Sequence, residues 1–420
     1  MRVLIINTSE KTGGAAIAAR RLMEALKKSG IKAKMLVRDK QTDDVTVVSL
    51  RKSWRNIWNF VWERVVIWRT NHFHKQRLFA IDIANTGTDI TSLPEFQQAD
   101  VIHLHWVNQG MLSLNNLQQI LDAGKPVVWT LHDMWPVTGI CHHAETCDRF
   151  TTHCHHCPLL VHGHRHDLSF RIFEKKLKLY ARGRLSFIAC SHWLEGQARR
   201  SALTQGHPVA SIPNPIDTRL FHPIDRQLVR EELGLPADKY LLLFSSMKIT
   251  DKRKGIDYLV EACRLLQQTQ PDFSRRLEVV VMGHESEEYS RLFPFPVHCL
   301  DYRSQEKDIA RVYNAVDLYV TPSLMENLPN TLMEAMACGV PCVGFHIGGI
   351  PEMIDHLHNG YVAQYKSAAD LANGIYWSLN DGDYPSLSEA ARRKVTSCYS
   401  EETIARAYLH LYNQITDEHE

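Results

Sequence analysis

The chain opens with a short apolar run that leads through a glycine loop into a helical pattern. The run "RVLIIN" is an unbroken, branched apolar segment of the kind that a buried parallel strand shows. After the polar loop "TSEKTGG", the segment "AAIAARRLMEALKKSG" has apolar residues at helical spacing, cations in its last turn and Gly30 as a stop signal. Strand, loop and helix together predict the start of a βαβ unit.

This alternation of strand-like and helix-like segments forms two series. "AKMLVR", "DVIHLHW", "PVVWTLHD" and "LSFIACS" predict further strands of a first sheet, and "YLLLFSS", "LEVVVMG", "VHCLDY", "DLYVTPS" and "PCVGFHIG" predict a second sheet. Two Asn/Pro turns in "VASIPNPIDTRLFHP" mark the crossing between them. We therefore predict an α/β protein with two doubly wound, Rossmann-like domains facing across a cleft, where ligands of this architecture bind.

Length, charge and the N-terminal sequence indicate the number of domains, the class of partner and the location of the protein. The 420 residues suit two domains, predicted at 1–213 and 214–396, with 397–420 as a C-terminal helix that packs back across the domains. A formal net charge of +1 provides no long-range attraction to nucleic acid, so we expect no nucleic-acid partner. The first apolar run is too short for a signal peptide and no run approaches a spanning helix, so we expect a cytoplasmic protein.

A strand, a turn and a helix are predicted in "DLYVTPSLMENLPNTLMEAMACG". Pro329 biases the residue before it toward extended geometry, Asn330 is a suitable N-cap, and Gly339 is a stop signal. The amides from Asn330 through Thr331 to Leu332, together with the positive end of the helix dipole, predict a phosphate site that needs no cationic side chain.

Two glutamates flank this turn. Glu334 lies inside the predicted helix, where a carboxylate can accept hydrogen bonds from a ribose diol, and Glu326 lies before the turn, where it would face the group beyond the far phosphate. The spacing alone is also compatible with two ordinary surface acids, or with the acid/base pair of a glycosidase. Nothing else in the chain resembles a glycosidase.

The segment "PSLMENLPNTLMEAMACGVPCVGFHIGGIP" carries a family resemblance. It closely resembles the Glu-x7-Glu donor site of retaining glycosyltransferases of the GT-B fold, family 4, including those that build bacterial surface polysaccharides. The resemblance implies that the amides of residues 330–332 bind the donor diphosphate, that Glu334 holds the ribose and that Glu326 contacts a hydroxyl of the donor sugar. It extends over nearly the whole chain, because further family features occur in order.

Three of these features add candidate site residues. The loop "SEKTGGAA" resembles the family's N-terminal glycine loop, where Gly13 and Gly14 would let the backbone approach the donor phosphates. In "SSMKITDKRKG", Lys248 and Lys254 stand where the family places an Arg/Lys pair on the diphosphate; lysine at 248 keeps the charge but loses the bidentate fork. His132 in "VVWTLHDMW" resembles the family histidine beside the donor sugar. Without the resemblance, such lysines are more often solvated and such a histidine is more often structural.

The segment "CHHAETCDRFTTHCHHCP" is rich in cysteine and histidine. Thiolates of Cys141, Cys147, Cys154 and Cys157 could close a tetrahedral zinc site, which would order a polar loop. The spacing is not that of a standard finger, and reduced structural cysteines are the alternative. Some family members that build surface polysaccharides carry a similar cysteine-rich insert, which resembles the segment from Thr138 to Leu159 of this chain. We predict structural zinc here and no cofactor for catalysis.

An aromatic and basic helix is predicted in residues 51–77. Its apolar positions fall on one stripe, its flanks are basic, and it contains almost no acid, as an interfacial helix on anionic lipid requires. A helix packed on the N-terminal sheet or on a protein partner is an equal alternative. The stripe comprises Trp54, Trp58, Val61, Trp62, Val65 and Trp68, and the flanking cations are Arg51, Lys52, Arg55, Arg64 and Arg69.

The resemblance implies a function. We expect a sugar to move from a nucleoside-diphosphate donor in the C-terminal domain to a hydroxyl of a glycan acceptor on the N-terminal side, with retained configuration and no metal in the chemistry. His132 and Glu326 are the expected catalytic groups. A polyprenyl-diphosphate-linked acceptor would place the protein at the inner face of the plasma membrane. An epimerase or hydrolase of the same fold and a nonenzymatic assembly partner remain alternatives.

Overall fold

The computed structural model describes residues 1–50, 54–75 and 77–417. They divide into two compact units: the first comprises Met1–Pro215 and Ile404–Glu420, and the second comprises Ile216–Thr403. Arg51 and Lys52, two of the cations expected beside the aromatic stripe, lie outside the described residues.

The first unit contains a seven-stranded sheet in which every neighbouring pair is parallel. Across the sheet the strands follow the order β3-β2-β1-β4-β5-β6-β7. The chain adds strands toward one edge up to β3 and toward the other edge from β4, and we call the boundary between β1 and β4 the strand reversal. In doubly wound sheets, ligands bind at the carboxyl ends of the strands beside such a reversal. The strands are β1 (Arg2–Ser9), β2 (Lys32–Asp39), β3 (Val47–Ser49), β4 (Val101–Leu104), β5 (Val127–Leu131), β6 (Leu185–Ala189) and β7 (Val209–Ser211).

Helices cover both faces of this sheet, and each face has its own apolar core. Strands buried on both faces explain the continuous apolar runs from which they were predicted. The predicted helix of residues 51–77 is shorter in the structure, where it ends at Thr70. The helices are α1 (Gly14–Lys28), α2 (Trp54–Thr70), α3 (Pro94–Gln98), α4 (Leu114–Asp122), α5 (Leu168–Tyr180) and α6 (His192–Arg200).

The second unit contains a six-stranded sheet, also parallel throughout. Its order, β10-β9-β8-β11-β12-β13, reverses between β8 and β11, and one apolar core includes residues from all its central strands. The strands are β8 (Tyr240–Lys248), β9 (Leu277–His284), β10 (Val297–Leu300), β11 (Leu318–Thr321), β12 (Cys342–Phe345) and β13 (Gly360–Ala363).

The helices of the second half include the one that follows the Leu-Pro-Asn-Thr turn. The C-terminal helix predicted at 397–420 begins at Glu401, and its residues from Ile404 belong to the first unit. The helices are α7 (Arg226–Leu233), α8 (Ile256–Thr269), α9 (Pro271–Ser274), α10 (Ser286–Ser290), α11 (Glu306–Ala315), α12 (Asn330–Ala337), α13 (Ile350–Met353), α14 (Ala368–Tyr376), α15 (Tyr384–Cys398) and α16 (Glu401–Asp417).

Candidate active site

Two loops meet at the carboxyl edge of the second sheet, beside its strand reversal. One follows β8 and ends in a 3₁₀ turn at Lys252–Lys254; the other follows β11. The two loops are in close backbone contact at Gly255, where a Cβ atom would lie only 1.9 Å from the carbonyl oxygen of Pro322. The amide of Leu324 also donates to the carbonyl of Arg253 at 2.8 Å. Close backbone contact therefore fixes the lysine turn against the first glutamate loop.

Glu326 is held from both sides in this loop. A Cβ on Gly348 would lie 1.9 Å from the carbonyl oxygen of Glu326, and the amide of Gly349 donates to the carbonyl of Asn327 at 2.7 Å. The Lys254 ammonium lies 2.5 Å from Oε1 of Glu326. Two predicted site residues, 72 positions apart in sequence, thus form a direct ion pair. Gly348 and Gly349 were not predicted as site residues, although a Gly-Gly dipeptide permits a close backbone approach.

Glu334 occupies a different environment, although it lies on the adjacent helix. Its side chain is buried in α12, with 5% of the residue exposed, and its Oε2 accepts a hydrogen bond from the hydroxyl of Tyr313 at 3.2 Å. Burial and the neighbouring carboxylate raise the pKa of Tyr313 well above its usual value, so the hydroxyl keeps its proton and remains a donor. Tyr313 holds the Glu334 carboxylate in place and was missed in the sequence, because it lies on the distant α11.

The N-terminus of α12 differs in detail from the prediction. Pro329, not Asn330, precedes the first helical residue, and no side chain caps the helix. The Leu332 amide already donates to the Pro329 carbonyl at 3.2 Å, so it contributes less to a phosphate site than the sequence suggested. Asn330 and Thr331 are half-buried at the first turn. The stop at Gly339 is as predicted, with the Val340 amide donating back to Ala335 at 3.0 Å.

Lys248 lies at the end of β8 and points to solvent. Its side chain is 59% exposed, and its ammonium lies 3.0 Å from Oε1 of Glu285. The Thr250 hydroxyl donates to Oε2 of the same carboxylate at 2.5 Å. Because this exposed pair carries little stabilisation, Lys248 can exchange its carboxylate for another anion at low cost.

The predicted glycine loop of the first unit follows β1 at its strand reversal. Gly13 has φ +92° and ψ 160°, a conformation that favours glycine, and immediately precedes α1. The buried carboxylate of Glu10 accepts from the amides of Gln41 and Thr42 at 2.6 and 2.9 Å, which ties the glycine loop to the loop after β2. Gly14 is the first helical residue.

His132 comes directly after β5 and contacts His105, a buried histidine that comes directly after β4. Its Nε2 lies 2.8 Å from Nδ1 of His105, and the two rings stack at 5.1 Å. His103, two residues earlier on the same face, lies between the hydroxyls of Tyr412 and Thr130, both at 2.7 Å from its ring nitrogens. The His103 and His105 rings are tilted by 41° with their centroids 4.5 Å apart, and we call the three adjoining rings the histidine stack.

This stack is uncharged at neutral pH. Burial lowers the pKa of His132 to about 4 and that of His103 to about 3, and it holds the pKa of His105 well below its usual value. A neutral His132 can donate or accept a hydrogen bond but supplies no positive charge. The contact of His105 with His132 makes His105 a positioning residue for that side chain.

The residue after His132 begins a chain of polar side chains that contact one another. Burial opposes ionisation of Asp133, yet contact with His142 and the amide of Trp135 lowers its pKa to about 2. Nδ1 of His142 lies 2.7 Å from Asp133 and Nε2 lies 2.7 Å from Asp82, which also accepts from Arg64 of α2. This chain connects the end of β5 to both segments that the donor motif leaves unexplained, α2 and the cysteine loop.

The four cysteines of the predicted zinc loop line one small pocket, together with His143 and His155. Burial raises the pKa of the Cys141 thiol to about 12 and that of the Cys157 thiol to about 11, which favours protonated thiols. Over residues 1–50, 54–75 and 77–417, no three His, Cys, Asp or Glu side chains are placed closely enough to hold a metal ion. Zinc binding by Cys141, Cys147, Cys154 and Cys157 therefore stays a prediction.

Two family models match the chain. Residues 12–220 match the model described as Glycosyltransferase Family 4, and residues 238–381 match the model described as Glycosyl transferases group 1. Together they cover most of both units.

Curated relatives match over part of their length. The N-acetyl-alpha-D-glucosaminyl L-malate synthase of Bacillus anthracis is 26% identical over 49% of this chain and 54% of its own. The amylovoran biosynthesis glycosyltransferase AmsK of Erwinia amylovora is 31% identical over 38% of this chain and 42% of its own. The chain thus spans about half, or less, of the length of these relatives.

Solved structures share the fold over the full length. Sucrose-phosphate synthase of Thermosynechococcus elongatus superposes with a TM-score of 0.70 and 19% identity, covering 100% of both chains. HepE of Anabaena, solved with UDP and glucose, superposes with a TM-score of 0.63 and 18% identity, covering 99% of this chain and 100% of its own. From its two parallel-sheet units and the matches to both family models, the chain belongs to the glycosyltransferases of the GT-B fold.

Proposed function

We propose that this protein is a retaining glycosyltransferase that moves a sugar from a nucleoside-diphosphate donor to a hydroxyl of a glycan acceptor in polysaccharide biosynthesis. The observation that carries the proposal is the Lys254–Glu326 ion pair at the carboxyl edge of the second sheet, in the loop that leads to α12 and its buried Glu334. The pair brings a cation and a carboxylate together at the strand reversal, where doubly wound sheets bind nucleotides.

The donor would be bound by three kinds of group. The first turn of α12 and the ammonium groups of Lys254 and Lys248 suit the diphosphate, and the fixed carboxylate of Glu334 suits the ribose diol. Glu326 would then accept a hydrogen bond from a hydroxyl of the donor sugar. HepE was solved with UDP, which makes uridine diphosphate the first nucleotide to test.

The proposed reaction needs stabilisation of a leaving diphosphate. The bond from the anomeric carbon to the diphosphate oxygen breaks, the acceptor oxygen forms a bond on the same face, and the acceptor proton passes to the departing diphosphate. Lys254 and Lys248 would offset the negative charge that develops on that group, which is the kind of interaction that accelerates a reaction rather than only binding its substrate. No protein nucleophile is required in this scheme.

His132 would orient the sugar rather than remove a proton as a strong base. Its lowered pKa keeps the ring neutral, and its contact with His105 constrains which ring nitrogen carries the proton. A neutral imidazole suits hydrogen bonding to a sugar hydroxyl. The acceptor, for which we propose a polyprenyl-diphosphate-linked glycan, would be bound by the first unit.

A screen of nucleotide sugars tests this function. The purified chain is mixed with UDP-, GDP-, ADP- and dTDP-sugars, with the free diphosphates as controls, and its melting temperature and the released products are followed by thermal shift and mass spectrometry. A ligand that binds the folded state raises the melting temperature. We expect one nucleotide to stabilise the protein selectively, and slow release of its sugar with retained anomeric configuration.

The outcomes separate the alternatives. Conversion of the donor sugar to an epimer, or fast hydrolysis unaffected by any acceptor, would favour the epimerase or hydrolase of the same fold. If no nucleotide binds at millimolar concentration, the donor site is wrong and the nonenzymatic assembly partner is favoured. A control variant, Glu389→Gln on α15, should behave as the unaltered chain, because the side chain of Glu389 is 72% exposed and pairs with Arg393 on its own helix.

A further inference from the structure

Helix α2 presents its apolar stripe to solvent. Trp54 is 75% exposed, Ile57 is 70% exposed and Trp58 is 54% exposed, and Val61, Trp62 and Val65 continue the same face at helical spacing. The rings of Trp58 and Trp62 stack on each other at 5.8 Å. Most amphipathic helices of folded domains bury this kind of stripe, so α2 is oriented the opposite way.

The opposite, polar face of α2 is the buried one. Oε1 of Glu63 accepts from the amides of Ile83 and Ala84 at 3.0 and 2.7 Å. Arg64 donates to the carbonyl of Leu78 at 2.7 Å and to Asp82. Rolling the helix to bury the stripe would break these buried bonds, each of which is costly to leave unmade. The outward orientation of the tryptophans is therefore fixed by the fold.

Backbone packing supports the same orientation. A Cβ on Gly110 would come within 2.7 Å of the α2 backbone at Asn59 and Phe60, so the helix lies directly against the loop after β4. The Thr86 hydroxyl donates to the side-chain oxygen of Asn59 at 2.6 Å. Both contacts lie on the side away from the stripe.

The apolar patch continues beyond the end of the helix. Phe73 is 61% exposed and packs edge-on against Trp68, whose indole nitrogen donates to the Phe73 carbonyl at 2.7 Å. We call the surface formed by Trp54, Ile57, Trp58, Val61, Trp62, Val65, Trp68 and Phe73 the tryptophan face.

The charged residues at exposed positions of α2 and of the segment directly after it have one sign. Arg55 and Arg69 lie seven residues before and after Trp62, which places them on the same side of α2, and both are exposed, as is Lys75. The single acid among the described residues 54–75 is Glu63, whose side chain is fully buried against the fold. The exposed surface here is thus aromatic and cationic.

We propose that the tryptophan face docks on an anionic lipid surface. Tryptophan rings insert at the headgroup level while flanking Arg and Lys side chains contact lipid phosphates, which is the combination displayed here. Within the parts of the chain that the structure describes, no helix has the length and apolarity to cross a bilayer, so α2 would lie along the surface. Its 17 residues would lie over about 25 Å.

A second copy of the chain fits this face less well. A two-fold interface would bring the tryptophan face against itself, and the cations of one α2 would then meet those of the other, with no exposed acid among the described residues 54–75 to pair with them. Lipid phosphates supply the missing negative charge. This docking does not depend on the proposed transferase activity, since it uses neither the lysine turn nor the glutamates.

Vesicle binding tests the proposal without any sugar donor. The full chain is incubated with liposomes of phosphatidylcholine alone, or of phosphatidylcholine with phosphatidylglycerol, and the bound fraction is measured by flotation together with the tryptophan emission maximum. We expect binding that requires the anionic lipid, falls with added salt, and shifts the emission to the blue. Trp58→Asp should weaken partitioning about tenfold or more, and Arg55→Glu with Arg69→Glu should remove the preference for anionic lipid.

A matched variant keeps the test specific. Leu228→Asp alters an exposed leucine on α7, 57% exposed, and should leave vesicle binding unchanged. Circular dichroism of each variant confirms folding. Equal binding by Trp58→Asp and the unaltered chain would overturn the proposal. So would vesicle-independent dimerisation that Trp58→Asp abolishes, because the face would then belong to a second copy.

Discussion

Helices α12 and α2 are built into the protein in opposite ways. In α12 the residues from Leu332 to Ala337 are buried, and its one acid, Glu334, is held among them by a tyrosine hydroxyl. In α2 the large apolar residues are exposed, and Asn59, Glu63 and Arg64 form the buried face. The first arrangement fixes a polar group inside a core, whereas the second fixes apolar groups outside one.

The difference shows how a buried polar group can serve two purposes. The Tyr313 hydroxyl holds the Glu334 carboxylate, which we propose binds the donor ribose, while the buried polar groups of α2 orient the opposite face of their helix. Both depend on hydrogen bonds that would be expensive to lose. Local substitutions in the two helices should therefore have different consequences, and the following predictions start with the largest effect.

Arg64→Met should strongly destabilise the first unit. Loss of the guanidinium leaves buried Asp82 and Glu63 without their cation, which costs about 3–5 kcal/mol in free energy of unfolding. Urea denaturation followed by far-ultraviolet circular dichroism measures this change. An unchanged midpoint would show that α2 does not depend on its polar face.

Lys254→Ala should impair sugar transfer and leave the fold intact. Removing a cation that acts on the leaving diphosphate is expected to lower kcat/KM about 100-fold. Steady-state kinetics with the nucleotide sugar identified by the thermal-shift screen measure it. Lys252→Ala is the matched control in the same turn, because Lys252 pairs with Asp257 and is 74% exposed. Equal losses in both variants would argue against a specific role for Lys254.

Acid should destabilise the first unit through its histidine stack. The native pKa of His103 is about 3 and that of His132 about 4, both below the value of about 6.5 expected in the unfolded chain. Between these values the unfolded state binds more protons, so stability is complete above about pH 6.5 and falls as pH drops, by about 1.4 kcal/mol per pH unit for each histidine.

Urea midpoints measured at several pH values between neutral and about pH 5 test this dependence. His103→Gln should reduce the slope, and His192→Gln should not, because the side chain of His192 is 77% exposed. A slope that His103→Gln leaves unchanged would assign the acid sensitivity to other groups.

Trp58→Ser should have the smallest effect on stability. The side chain is half exposed and contacts Trp62 on the solvent side, so its loss should change the free energy of unfolding by about 0.5 kcal/mol or less. The same urea titration as for Arg64→Met provides the comparison. A large loss would mean that the tryptophan face contributes to the fold of the isolated chain.

Much of the fold was predictable from sequence because its strands are continuous apolar runs between helical segments. The order of the elements, the two α/β domains and the helix ending before Gly339 follow from local patterns. At the candidate site, the loop that carries Glu326 and the helix that carries Glu334 were also predicted. These features depend on residues close together in the chain.

The features that sequence did not predict depend on distant contacts. The pairing of Lys254 with Glu326 and of Tyr313 with Glu334 arises where separate strands and helices meet. The apolar stripe of α2 was recognised, but periodicity alone left open whether it faced a core or solvent. Its exposure is decided by Glu63 and Arg64, whose partners lie well over a dozen residues away.

The most direct test of the donor site is the affinity for the nucleoside diphosphate of the selected donor, measured by isothermal titration calorimetry on the unaltered chain, Glu334→Gln and Glu389→Gln. Loss of the Glu334 carboxylate removes a charged hydrogen-bond acceptor for the ribose, so we expect affinity to fall about tenfold or more in Glu334→Gln. Glu389→Gln should bind as the unaltered chain does. Equal affinity in all three proteins would contradict the assignment of this edge of the second sheet as the donor site.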